Sequence, residues 1–103
     1  MIVATSKSSS APLRLVEVPS LPCGAGEVRV RVRAIGVNPV DWKMREGGPL
    51  GTAQRVIGPR GPLVVGIDFA GEIVEAGAGV SGLAVGARVV GGTDFSRGQR
   101  GSY

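Results

Sequence analysis

Valine and arginine alternate along Glu27-Val28-Arg29-Val30-Arg31-Val32-Arg33-Ala34. A period of two marks a strand with an apolar face and a charged, solvated face. Shorter apolar runs at residues 13–18, 63–67, 69–76 and 87–90, cut by glycine and proline, read as further strands. Between them, Asn38-Pro39-Val40-Asp41-Trp42-Lys43-Met44-Arg45-Glu46-Gly47-Gly48 has the marks of a helix of about two turns. Asn38 suits its cap, Pro39 its first position and Asp41 the positive end of its dipole, while the two glycines stop it. Val40 and Met44, four apart, share the buried side. Residues 49–62 lack periodicity and read as a surface loop, and residues 77–82 as a turn. Residues 91–103 read as a polar, glycine-rich loop in which Ser102 and Tyr103 begin another strand.

Composition changes this picture little. The chain has 103 residues, 18 of them glycine and 7 proline, enough for one domain and no more. No internal repeat or domain boundary interrupts it. The glycines punctuate runs rich in valine and isoleucine, which is the pattern of a tightly turned β domain and not of disorder. Twelve Lys and Arg against eight Asp and Glu give a net charge of +4. Such a surface attracts anions, but the arginines are dispersed and aromatic residues make up only 4%, too few to stack bases. No nucleic-acid partner is expected.

The chemistry is bounded more sharply. There is no histidine, so no Ser-His-Asp or Cys-His site and no His-containing zinc site can form within this chain. Cys23 is the single cysteine, which rules out an internal disulfide and suits a reducing compartment, the cytoplasm or an organellar stroma or matrix. No apolar run approaches the length of a membrane span, and residues 1–10 lack the apolar core of a secretory signal. Gly77-Ala78-Gly79-Val80-Ser81-Gly82 fits the dinucleotide pattern G-x-G-x-x-G. That pattern binds a pyrophosphate only where a helix follows, and the next residues are a short, glycine-broken stretch and then a strand. It is read as a turn.

Four blocks in order carry a resemblance: Gly26-Glu27-Val28-Arg29-Val30, Gly36-Val37-Asn38-Pro39-Val40-Asp41, Gly66-Ile67-Asp68-Phe69-Ala70-Gly71 and Val85-Gly86-Ala87-Arg88-Val89. From about Pro12 onward the chain resembles the N-terminal, GroES-like domain of the medium-chain dehydrogenase/reductase superfamily, on its zinc-independent quinone and enone oxidoreductase branch. The resemblance implies a mainly β fold, a partly open β-barrel with one or two short helices. It implies one domain over residues 1–103, incomplete at its C-terminus, without the cofactor-binding Rossmann domain. The parent would transfer hydride from NADPH to a quinone or an α,β-unsaturated carbonyl, and the isolated chain would be inactive. The competing reading is a non-catalytic GroES-like interaction module.

Zinc-dependent relatives place a cysteine where this chain has Asn38, and Gly-His-Glu where it has Gly66-Ile67-Asp68. An amide and an aliphatic side chain replace neither ligand, so no metal is expected. The resemblance puts Asn38 beside the nicotinamide, while the residue pattern alone also allows a simple helix cap. It puts Lys43 at a proton-relay position, where the alternative is an exposed helical lysine. Trp42 either walls the substrate pocket or covers the core; Asp41, Ile67 and Asp68 border or brace the pocket. Exposed strand edges make a homodimer or other self-association an expectation as well. Metal analysis of the purified protein should find no stoichiometric zinc. One tightly bound zinc per chain would defeat the zinc-independent assignment.

Overall fold

The structure, a computed structural model, describes residues 2–6, 12–46, 49 and 63–93. In chain order its elements are β1 (Ile2–Ser6), β2 (Arg14–Glu17), β3 (Val28–Ile35), α1 (Pro39–Glu46), β4 (Leu63–Val64), β5 (Asp68–Ala76) and β6 (Arg88–Gly92). Two antiparallel three-stranded sheets result, ordered β2-β1-β4 and β3-β5-β6. The fold is mainly β, with open sheets, and α1 is short.

The second sheet positions everything that follows. β5 lies at its centre, and Gly71 and Ile73, two apart, are both buried. Ile73 is fully enclosed, and Val65 is the other buried apolar side chain among the described residues. β3 pairs with β5 through two irregularities. The first leaves Val74 of β5 unpaired between Arg29↔Glu75 and Val30↔Ile73; the second leaves Arg33 of β3 unpaired between Val32↔Gly71 and Ala34↔Ala70. One extra residue on each strand cancels, so Ile35↔Phe69 has the register that Val28↔Ala76 began.

The expected two-faced strand is only partly realised. Val28 and Val30 are half-buried, but Val32 and everything beyond it on β3 is exposed. Alternation alone predicted a continuous buried valine face; cover on β3 ends after Val30, where among the described residues no packing partner lies over the strand's far half. The charged face is as expected and is knitted across the strands, Arg29 to Glu75 and Arg33 to Glu72 at 3.7 Å.

The glycine-rich turn has a packing role. A Cβ on Gly77 would lie 1.9 Å from the Gly24 carbonyl oxygen, so only glycine allows the two backbones to meet. The Gly77 N–H donates to Glu27 O and the Gly26 N–H to Ala78 O, both at 2.8 Å, closing the end of the β3–β5 pair. Beyond it come a second turn, with Gly86 at φ 91°, and then β6, with no helix between residues 77 and 93.

Other expectations shift in detail. β1 was not expected, because five residues carry too weak a pattern; pairing with β2 and β4 makes it a strand. The strand expected over 63–67 is only Leu63–Val64, since the chain turns through Gly66 at φ 104°. The last strand runs to Gly92, so the loop expected from residue 91 begins later. Of the loop expected over 49–62, Pro49 is helical and the rest lies outside the described residues, as do the glycines ending α1, the strand start at Ser102 and Tyr103, and the Met44 side chain.

Ile73→Ala should lower stability by about 2–5 kcal/mol, the usual cost of emptying a closed apolar site. Val85→Ala, at an exposed position, should stay within about 0.5 kcal/mol. Urea denaturation of the two variants checks this, and equal losses would show that the core is misplaced.

Candidate functional site

β3 ends at Ile35 and α1 starts at Pro39, so the chain turns within residues 36–38. Asp68, the first residue of β5, lies against this turn. Its Oδ1 accepts the Gly36 N–H at 2.9 Å and its Oδ2 accepts an N–H of the Asn38 side chain at 3.0 Å. The approach needs glycine, because a Cβ on Gly36 would sit 2.4 Å from Asp68 Oδ1. Asp41 clamps the same turn from the helix. Only 5% exposed, it accepts the Asn38 backbone N–H through Oδ2 at 2.7 Å, and its own N–H donates to Asn38 O at 3.0 Å. This is the return half of a capping box, made by the third helical residue. The side-chain amide of Asn38 donates to Asp68 on β5, while Asp41 satisfies the backbone N–H of Asn38.

An open groove of about 560 Å³ runs over residues 34–36, 68–70 and 90–92. Its walls are apolar, a mixture of Gly and Ala positions with the larger Ile35, Phe69 and Val90, and among the described residues Asp68 is their one charged residue. At its edge Thr93 ties the strand end down: its N–H donates to Ile67 O at 2.6 Å, and its hydroxyl reaches Gly66 O and Ile67 O at 3.2 and 3.3 Å. Ile67 itself is half-buried and contributes its carbonyl here.

The expected site residues thus separate into two groups. Asn38, Asp41 and Asp68 are joined in one hydrogen-bonded cluster. Trp42 and Lys43 are exposed on α1, with Lys43 Nζ 5.7 Å from the Trp42 ring centre, a cation–π contact. Trp42 leaves 49% of its surface open, so it does not simply cover the core. Neither residue lines the groove. Sequence reasoning passed over Gly36 and Thr93. A glycine before an Asn-Pro turn is a weak signal for the first; nothing local marks the second. Cys23 is half-buried, its Sγ 3.3 Å from Glu27 O. Among the described residues no three His, Cys, Asp or Glu side chains converge as a metal site would require.

Residues 24–102 match the alcohol dehydrogenase GroES-like domain. The chain belongs to that family. A chloroplast envelope quinone oxidoreductase homolog from Arabidopsis thaliana is 35% identical over 81 residues, 79% of this chain and 23% of the relative. An L-threonine 3-dehydrogenase from Streptomyces coelicolor is 38% identical over 89 residues, 85% of this chain and 25% of the relative. The crystal structure of Escherichia coli quinone oxidoreductase complexed with NADPH superposes with a TM-score of 0.64 at 27% identity, over 86% of this chain and 25% of that one. This GroES-like domain spans about a quarter of the length of these relatives.

Gly36→Ala should cost about 1–3 kcal/mol, the scale of forced overpacking, because the new methyl collides with the Asp68 carboxylate. Thermal or urea denaturation reads the effect. Unchanged stability would mean that Asp68 is not held against the turn.

Proposed function

We propose that this domain is the substrate-side part of a zinc-independent reductase that moves hydride from NADPH to a quinone or an α,β-unsaturated carbonyl. One observation carries the reading. At the positions where zinc-dependent relatives hold their ligands, Asn38 is engaged with the carboxylate of Asp68, and Ile67 offers no donor atom at all. The likeness to a quinone oxidoreductase seen with NADPH supports the cofactor, and the likeness to a chloroplast envelope quinone oxidoreductase homolog supports the substrate class. The similarity to an L-threonine 3-dehydrogenase makes substrate choice depend on side chains, not on family membership.

NADPH, when bound, supplies the hydride. The chain's own residues orient and protonate. Asn38 meets the nicotinamide from a turn that Asp41 and Asp68 hold rigid. Lys43 donates the proton that, with the hydride, completes a two-electron reduction of the substrate. Trp42 and Lys43 stand outside the groove on the exposed side of α1, so their part in the reaction requires a cleft completed by the cofactor domain. Gly77 of the turn at residues 77–82 packs against the Gly24 backbone, and the chain runs on to β6 without the helix whose amides a pyrophosphate needs. The phosphates are therefore assigned to a Rossmann domain outside this chain, consistent with relatives about four times as long. With an unpaired Cys23, the protein is assigned to a reducing compartment, the cytoplasm or an organelle interior.

A second reading, an interaction module or a self-associating chain, draws on exposed apolar side chains such as Leu15 at 78% and Val90 at 83% on strands that edge their sheets. NADPH titration separates the two. This chain alone should show no salt-resistant binding, whereas the full-length protein should bind and turn over with a quinone. Asn38→Ala in the full-length protein should reduce binding or turnover by roughly tenfold, the scale of one or two hydrogen bonds. A full-length protein without NADPH-dependent reduction of any quinone or enone would leave the interaction reading in its place.

A further inference from the structure

Asn38 has a donor end and an acceptor end, and the end facing a ligand decides what that ligand must offer. Its Nδ2 lies 3.0 Å from Asp68 Oδ2. A carboxylate only accepts, so the nitrogen must face Asp68 and the carbonyl oxygen must face away. The opposite orientation would press two acceptors together. Neither partner is loose. Asp68 is held through its other oxygen by the Gly36 N–H, and the Asn38 backbone is held by the nearly buried Asp41. Among the described residues nothing donates to Asn38 Oδ1.

We propose that Asp68 is a positioning residue that fixes Asn38 as a hydrogen-bond acceptor towards its ligand. Asn38 then recognises a donor, the carboxamide NH2 of the nicotinamide, and does not polarise the substrate carbonyl. This rests on the NADPH reading above and deepens it. It assigns the two ends of the reaction to different side chains: Asn38 orients the ring, and the donor to the substrate oxygen falls to Lys43.

The test is a titration of the full-length protein with NADPH and with its reduced 3-acetylpyridine analogue, in which a methyl group replaces the NH2 and the carbonyl is kept. The native protein should prefer NADPH by about two- to tenfold, the scale of one neutral hydrogen bond. Asp68→Asn should bring the ratio close to one, because asparagine donates as well as accepts and lets the Asn38 amide turn over. Asn38→Ala should do the same. A merely structural role for Asp68 would weaken both ligands alike and leave the ratio unchanged, which overturns the proposal. Equal affinities in the native protein would overturn the acceptor assignment while leaving the NADPH reading intact. Failure to bind NADPH at all would overturn that reading and the ligand with it. A second measurement needs no cofactor: the Asn38 side-chain amide protons should exchange slowly in the native protein and quickly in Asp68→Ala. Fast exchange in both would overturn the Asn38–Asp68 pairing itself.

Discussion

The Asp68 carboxylate carries the β3–β5 pairing past its last ladder pair, Ile35↔Phe69, into the turn before α1. One oxygen takes the Gly36 N–H as β3 gives way to the turn, and the other takes the side chain of Asn38 just before α1. Without it, a backbone donor at the end of β3 would need another acceptor, and the helix would enter at an unconstrained angle. Charge-assisted bonds of this kind are among the stronger polar contacts a small domain makes. They are also directional, so they fix orientation as well as proximity. The candidate site inherits its geometry from that one group.

That carboxylate reaches the turn because of register. A single bulge between β3 and β5 would shift the pairing by one residue and send the side chains beyond it to the opposite face. Here the extra Val74 on β5 is offset by the extra Arg33 on β3, and the original register returns at Ile35↔Phe69. One step further along, Asp68 faces Gly36. The two bulges therefore act at a distance: their offsets cancel and deliver Asp68 to its partner. Glycine supplies the remaining tolerance, at Gly36 for the carboxylate and at Gly77 for the Gly24 backbone.

Among the described residues Ile73 and Val65 are the buried apolar side chains, while Leu15 on β2 and Val90 on β6 stay largely open. Among the described residues, backbone pairing and glycine-permitted close contacts therefore carry much of the shape. The groove beside them is lined by apolar residues, Ile35, Phe69 and Val90 among them, and the carboxylate of Asp68 gives it its chemical character.

What the sequence determined by itself is local. The Val-Arg alternation specified β3, the Asn-Pro start and Asp41 specified α1, and the glycine-broken residues after 82 ruled out a crossover helix; each rests on contacts between near neighbours in the chain. Asn38, Asp41 and Asp68 were legible as candidates through the order of their motifs. Their connection was not. Whether Asn38 capped its own helix or reached β5 depended on where a residue 30 positions away would lie. Likewise β1 has too short a pattern to declare itself and exists through pairing with β2 and β4. Bulges, close glycine contacts and Thr93 binding back to Gly66 and Ile67 are of the same kind. Local steric preference and periodicity act within a few residues and can be read along the chain. A hydrogen bond between distant segments depends on register and approach, and only the folded arrangement sets those.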